Sequence, residues 1–201
     1  MILVDKKWEY VVQNGTARFS ILNKDPEKWR RDFEKREEFR TGVSWHIPTE
    51  SLIESLKQYS PIVSVGCGLG YSETLALERG ADIILTDLSP GSDNRWCKVP
   101  NNIFPEGIIR IGAKEAVKKF NDRNLFMAWP PYDTPMAYEA ANALEINRYL
   151  IYVGESEGGC NGDQEFFKLL QDNFEIVESE AYVPSWDGIY DNVYIYRKIK
   201  K

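Results

Sequence analysis

Three glycines at alternate positions, followed by an aspartate, are the feature of this sequence that most clearly predicts chemistry. The glycines are Gly66, Gly68 and Gly70, and the aspartate is Asp87. Glycine has no Cβ, so a glycine-rich segment can turn tightly and let a ligand lie directly against its backbone. Asp87 follows at about the distance where such units place the carboxylate that binds a ribose. The pattern predicts a nucleoside site, with a tight turn that binds nothing as the alternative.

The glycine spacing narrows the class of ligand. A turn that binds a pyrophosphate has the form G-x-G-x-x-G/A, so that the start of the helix can approach an anion. Counted from Gly66 the last place is Tyr71, and counted from Gly68 it is Glu73. A bulky ring or a carboxylate at that place disfavours a dinucleotide. The turn favours a nucleoside ligand without phosphates, of which S-adenosylmethionine is the obvious example.

Other side chains are candidates for catalysis, each with a structural alternative. His46 is the single histidine, so it alone has an ordinary pKa suited to proton transfer at neutral pH, unless it is simply packed. Trp129 and Tyr132 could stack on an aromatic substrate or enclose a sulfonium, or could be core aromatics. Glu155 could act as a general base or anchor an amine, or be a solvated loop carboxylate. Cys67 has no base nearby in sequence, which favours a filling residue over a nucleophile.

Predicted strands and helices alternate around these residues. Ile62–Val65 reads as a buried strand, residues 72–78 as a helix, and Ile83–Thr86 as a second strand that ends at Asp87. The alternation continues, and the last two strands lack a helix between them. We therefore expect a mostly parallel sheet covered on both faces, with an antiparallel edge. Ligands of such sheets bind beyond the carboxyl ends of the strands, where we expect the glycine turn, Asp87–Leu88, residues 129–132 and residues 155–160.

The N-terminal region is predicted to form a small cap, residues 1–47, on a single domain of residues 48–201. Asn14-Gly15 favours a hairpin turn, with strand-like alternation through Trp8 and Val12 before it. Asp25-Pro26 predicts the start of a helix that runs to about Arg40.

The composition disfavours several classes of protein. The chain has 201 residues, of which 43% are hydrophobic and 28% charged, an ordinary balance for a globular domain. The net charge of −6 disfavours a large nucleic-acid-binding face without excluding a local one. Three widely spaced cysteines predict neither a disulfide framework nor a zinc site. Since no membrane-length apolar run or signal peptide is evident, we expect a cytoplasmic protein without membrane contact.

Residues 61–198 resemble the class I S-adenosylmethionine-dependent methyltransferases, on the glycine turn, Asp87 and the alternation of strands and helices. The resemblance implies an α/β fold with a Rossmann-like sheet of seven strands and S-adenosylmethionine as cofactor. It implies that the glycine turn faces the methionine part and that Asp87 binds the ribose. We expect cofactor contacts from Ser64, Gly66, Cys67, Gly68, Gly70, Asp87 and Leu88. Residues 45–49, 129–132 and 153–160 are also similar to a small, poorly characterised subgroup, which implies no particular methyl acceptor.

Two positions depart from the broad family's pattern. The family usually has an acid two places before the first glycine, where this chain has Ser64, so a charge facing a cationic cofactor is missing or comes from elsewhere. Methyltransferases that act on base amino groups carry N/D-P-P-Y/F after the fourth strand, where this chain has Trp129 before Pro130. An indole donates one hydrogen bond and accepts none, which weakens the amine-methylating interpretation.

Three functions are consistent with these sequence features. The leading hypothesis is a methyltransferase that acts on a small molecule or a limited macromolecular site, with the acceptor unidentified. The others are a methyltransferase-like binding or scaffold protein and, less favoured, a nucleic-acid methyltransferase. Methyl transfer needs little more than alignment, so the lack of an obvious catalytic dyad does not count against it. We also expect loss of the Asp87 carboxylate to weaken cofactor binding while changing the free energy of unfolding by less than about 1 kcal/mol.

Overall fold

A seven-stranded sheet forms the centre of the protein. The computed structural model describes residues 1–15, 26–90, 94–97, 107–180 and 183–201. The strands lie in the order β3-β2-β1-β4-β5-β7-β6. They are β1 Ile62–Val65, β2 Ile83–Asp87, β3 Ile109–Arg110, β4 Asn124–Ala128, β5 Tyr149–Gly154, β6 Phe174–Glu180 and β7 Asn192–Lys198. The first five in chain order are parallel, and β7 pairs antiparallel with both β5 and β6.

Helices cover both faces of this sheet, as the alternation predicts. They are α1 Lys6–Gly15, α2 Pro26–Gly42, α3 Glu50–Gln58, α4 Tyr71–Glu78, α5 Ala113–Lys119, α6 Met136–Ala143 and α7 Gln164–Asn173. Successive strand residues point to opposite faces. On β1, Val63 and Val65 pack with α5, α6 and α7, whereas Ile62 packs with α3 and α4 on the other face. The predicted Rossmann-like α/β fold with an antiparallel edge is confirmed.

The order of the strands places the site. The chain moves from β1 outward to β2 and β3, then returns to place β4 on the other side of β1. The connections that follow β1 and β4 therefore leave the sheet in opposite directions and open a crevice at their carboxyl ends. The glycine turn follows β1 at this crevice, and residues 129–132 follow β4.

The predicted N-terminal hairpin is wrong in its first arm. Lys6–Gly15 forms α1, because Trp8, Val11 and Val12 recur at helical spacing and pack in one apolar cluster. That spacing outweighs the weaker alternation of period two, although the Asn-Gly pair favours a turn. The second arm, residues 16–24, lies outside the described residues.

The N-terminal helices pack on the connection between β6 and β7. Phe39 of α2 is fully buried, with its ring 5.5 Å from that of Trp8 and 5.3 Å from that of Trp186. The Trp186 indole also donates to the Trp45 carbonyl oxygen at 3.2 Å. These contacts hold the segment that contains Trp45 and His46 beside the sheet crevice. None of the described helices is long and apolar enough to cross a membrane.

Candidate active site

A cavity of about 810 Å³ opens at the carboxyl ends of β1, β2 and β4. The glycine turn and Asp87 line one side, and residues 128–132 together with the start of α6 line another. The end of α2 and the segment after it close the remaining side with residues 40 and 43–46. Its volume falls within the range of small-molecule and cofactor sites. The cavity thus joins most of the segments that the sequence places at this edge.

The glycine turn has the backbone conformation that glycine favours. Gly66, Gly68 and Gly70 have φ values of 61°, 57° and 61°, in the left-handed region where a Cβ is strained. A Cβ on Gly68 would also lie 3.2 Å from the Cys97 sulfur. Gly66, Cys67 and Gly68 line the cavity, whereas Gly70 does not line it and is the N-cap residue of α4. The spacing of the glycines is thus explained by the turn itself.

Asp87 holds this turn and the next loop together. Its Oδ2 accepts from the Gly68 N–H at 3.0 Å and from the Asn94 amide at 3.4 Å. Its Oδ1 accepts from the Ser89 N–H at 2.8 Å. The side chain lines the cavity although the residue is only 7% exposed. We therefore revise the expectation that Asp87 contributes little to stability, because its removal leaves two backbone donors without their partner. Leu88 lies at the rim of the cavity and is exposed.

Ser64 lies beneath the cavity and orients a carboxylate that does line it. Its hydroxyl donates to Oε1 of Glu73, in the first turn of α4, at 2.6 Å. Glu73 is buried, and this burial raises its pKa to about 7, with the hydrogen bond from Ser64 acting in the opposite direction. Ser64 occupies the place where the family usually has an acid, and the carboxylate of Glu73 lies directly beside it. In the sequence, Glu73 serves only as a residue that disfavours a dinucleotide, although its place one turn beyond the glycines is a signal for a cavity carboxylate.

The location of His46 changes the chemistry expected of it. Its Nε2 lies 2.7 Å from the Ser72 hydroxyl and its Nδ1 lies 3.2 Å from the Ser44 hydroxyl. Burial lowers the pKa of His46 to about 4, so the ring is neutral at pH 7 and a weak base. His46 lines the cavity, but with this lowered pKa it is poorly suited to proton transfer at neutral pH. It fastens the cap segment to the first turn of α4.

The Cys67 thiol is unsuited to nucleophilic chemistry. Burial raises its pKa well above the ordinary value, and the carboxylates of Glu73 and Asp87 add to the effect. A thiol attacks as the thiolate, so this environment supports the predicted role of Cys67 as a filling residue.

Trp129 has an unusual backbone and a fixed side chain. Its φ is 51°, which is rare for a bulky residue and is sustained by surrounding contacts. Its indole N–H lies 3.0 Å from both carboxylate oxygens of Asp191. Burial raises the pKa of Asp191 to about 7, while the hydrogen bond from Trp129 opposes that rise. The single donor of the indole is therefore engaged, and Trp129 offers the cavity a ring without a free donor.

Trp129 belongs to an aromatic wall, formed by Trp45, Trp96 and Trp129. The rings of Trp45 and Trp129 are 5.5 Å apart and tilted by 35°, and those of Trp45 and Trp96 are 6.0 Å apart and near perpendicular. The Arg40 guanidinium lies 4.3 Å from the Trp45 ring and 5.7 Å from the Trp129 ring. Tyr132 also lines the cavity and is 65% exposed. No sequence pattern predicts the positions of Arg40 and Asp191, since only tertiary contacts bring them to Trp45 and Trp129.

Glu155 does not line the cavity. Its Oε2 accepts from the Cys160 N–H at 2.7 Å and its Oε1 accepts from the Tyr190 N–H at 3.0 Å. The residue is buried, so the alternative of a solvated carboxylate is wrong. Both oxygens are engaged in joining two loops, an arrangement that supports a structural role over the predicted one as base or anchor.

Comparisons with known proteins identify the fold. No protein-family model matches the sequence. A search of curated proteins also finds no match. Among solved structures, the Burkholderia thailandensis 1,6-didemethyltoxoflavin-N1-methyltransferase aligns with a TM-score of 0.51 and 16% identity, over 92% of this chain and 95% of that one. Magnesium protoporphyrin IX methyltransferase from Synechocystis PCC 6803 aligns with a TM-score of 0.50 and 12% identity, over 94% and 90%.

This chain has the S-adenosylmethionine-dependent methyltransferase fold. The first of these solved structures contains 1,6-didemethyltoxoflavin and S-adenosylhomocysteine, and the second contains S-adenosylmethionine. Their identities to this chain are low, so the likeness concerns the fold alone. The reaction of this chain therefore depends on the residues that line its own cavity.

Proposed function

We propose that this protein is a methyltransferase that uses S-adenosylmethionine. The observation that carries the proposal is the cavity, in which the glycine turn and the Asp87 carboxylate face the same space at the switch point of the sheet. A left-handed glycine turn admits a ligand against its backbone, and a carboxylate suits a pair of ribose hydroxyls.

The residues present fit this cofactor. Two carboxylates that line the cavity border the glycine turn, Glu73 on α4 and Asp87 on β2. The turn itself, residues 66–70, contains no lysine or arginine. Such an environment suits a nucleoside with a cationic tail and opposes a pyrophosphate. Asp87 would hold the ribose, and Gly66 and Gly68 would lie along the methionine part. When bound, the cofactor supplies a methyl group already activated by its sulfonium.

The chain's contribution to methyl transfer is alignment and exclusion of water. The aromatic wall and residues 130–132 line the part of the cavity beyond the glycine turn, where an acceptor would lie. The pKa of His46, lowered to about 4, makes it a poor acceptor of a proton in this reaction. The site therefore favours a nucleophile that arrives unprotonated.

The acceptor side favours a planar molecule. Trp45 and Trp129 line the cavity, and Arg40 stacks on the first of them. Aromatic lining binds flat rings by stacking and contributes little to a flexible aliphatic chain. We therefore assign acceptor selection to the aromatic wall and to the cap residues 40–46, which close the cavity opposite the sheet.

The alternatives receive less support. The cavity continues past Trp129 to the exposed Tyr132, so an acceptor has a path to the glycine turn, which opposes the scaffold interpretation. A nucleic-acid acceptor is disfavoured by the net charge of −6. Binding to RNA or DNA that weakens with added salt would revive that alternative, and unchanged mobility at low salt would count against it.

Calorimetric titration with S-adenosylmethionine and S-adenosylhomocysteine tests the proposal. We expect both to bind, and we expect Gly68→Val to abolish binding, since a side chain there meets Cys97 and strains the turn. A circular dichroism spectrum of the variant serves as the folding control. Absence of binding to the wild-type protein at millimolar ligand would sink the proposal. If the cofactor binds, transfer of labelled methyl groups to pooled heteroaromatic metabolites, peptides and RNA would identify the acceptor class.

A further inference from the structure

Glu73 is a buried carboxylate for which the described part of the protein provides no cation. It is 4% exposed, yet it lines the cavity beside the glycine turn. Its Oε1 is held by the Ser64 hydroxyl, and no described lysine, arginine or histidine forms an ion pair with it. Burying an ionised carboxylate without a partner is costly, so a cationic group on a bound ligand would stabilise the ionised form of Glu73.

The location of Glu73 selects which cation that is. Asp87 and Glu73 border the glycine turn from β2 and from α4 respectively, and both belong to the cavity lining. A ligand whose ribose lies at Asp87 extends along Gly66 and Gly68 toward α4. We propose that the Glu73 carboxylate binds the methionine ammonium of the cofactor, replacing the charge that Ser64 does not supply. This inference rests on the proposed function, because it presumes that S-adenosylmethionine occupies the cavity.

Proton release should accompany binding. The pKa of Glu73 is raised to about 7 by burial, and an ammonium ligand binds the ionised form. The titratable groups near it are Asp87 and the Cys67 thiol, and His46 reaches the neighbouring Ser72. Cys67 titrates far above this range and His46 at about 4. Asp191 also titrates near 7 but does not line the cavity. A Glu73 variant therefore separates the contribution of Glu73 from all others.

The expected change in affinity follows from the ionised fraction. With a pKa of about 7, roughly a tenth of Glu73 is ionised at pH 6.0 and about three quarters at pH 7.5. The apparent affinity scales with the fraction of protein competent to bind. We expect S-adenosylhomocysteine to bind about eightfold more tightly at pH 7.5 than at pH 6.0, and binding at pH 6.5 to release about three quarters of a proton.

Glu73→Gln provides the test, with Glu78→Gln as the matched control. Gln keeps the shape and can still bond to Ser64, and Glu78 is an exposed carboxylate of the same helix, α4, that does not line the cavity. Titrations with S-adenosylhomocysteine would be run at both pH values, in buffers that differ in ionisation enthalpy. In Glu73→Gln we expect at least tenfold weaker binding at pH 7.5, a pH dependence below about twofold, and no proton release. Glu78→Gln should behave like the wild type.

Adenosine is the second probe, because it keeps the ribose and lacks the ammonium. We expect it to bind wild type and Glu73→Gln equally at both pH values, which also shows that the variant is folded. If Glu73→Gln binds S-adenosylhomocysteine as tightly as the wild type, or releases the same proton, the inference is overturned while the proposed function stands. A similar pH dependence with adenosine would overturn it as well. If the wild type binds neither ligand, the proposed function itself fails.

Discussion

Replacement of Asp87 separates the two roles that the structure gives this carboxylate. Asp87→Ala removes three hydrogen bonds, two of them short bonds from the Gly68 and Ser89 N–H groups. Asp87→Asn keeps one acceptor oxygen but turns an NH2 group toward one of these backbone donors. Both variants lose the charge that faces the ribose position.

The magnitude follows from the two short bonds. Hydrogen bonds to a charged acceptor contribute about 1.5–3 kcal/mol each, and the third bond is too long, at 3.4 Å, to add much. Water reaches the cavity and can replace part of the loss. We therefore expect Asp87→Ala to lower the free energy of unfolding by about 2–4 kcal/mol and Asp87→Asn by about 1–3 kcal/mol. At about 2–4 °C per kcal/mol, the alanine variant should melt roughly 5–15 °C lower.

Urea unfolding and calorimetry with S-adenosylmethionine measure the two effects separately. We expect at least tenfold weaker cofactor binding in both variants, on the scale where about 1.4 kcal/mol is tenfold. Asp122→Asn, which removes an exposed carboxylate between α5 and β4, should change neither quantity. Unchanged cofactor affinity would refute the ribose role. A loss of stability below about 0.5 kcal/mol in Asp87→Ala would refute the argument from its hydrogen bonds.

Three further predictions test other contacts. Trp129→Phe should lower the free energy of unfolding at pH 8 by about 1–2 kcal/mol. The loss should be smaller at pH 6, because Asp191, with its pKa of about 7, is then protonated. A double-mutant cycle with Asp191→Asn that shows no coupling would contradict this prediction. The pKa of His46 is lowered to about 4 in the folded protein, so its neutral form stabilises above the unfolded value near 6.5 and this contribution is lost as the pH falls. His46→Gln should therefore show a weaker fall in unfolding free energy from pH 6.5 to 4.5, and an unchanged slope would count against the buried neutral ring. Lys198 is buried and donates to three carbonyl oxygens at the end of α6, so Lys198→Met should cost about 2–4 kcal/mol in chemical denaturation, and equal stability would show that water replaces the ammonium.

The N-terminal helices differ in how far local sequence alone predicts them. α2 begins at Pro26, where Asp25-Pro26 predicts it, and ends at Gly42. α1 was predicted as a strand, because Asn14-Gly15 is a strong turn signal within a short window. Its helical state depends on burial against Phe39 and Trp186, residues remote in sequence.

The sequence by itself determined the sheet, the glycine turn and the position of Asp87. Each of these follows from neighbouring residues: β-branched runs form strands, glycines permit left-handed turns, and alternating strands and helices leave few topologies. Only the tertiary structure decided what the polar side chains do. Glu73 meets Ser64, Asp191 meets Trp129, and Glu155 joins two loops, because each contact depends on packing between elements. Burial in that packing also moved the pKa of His46 away from neutrality and that of Glu73 toward it.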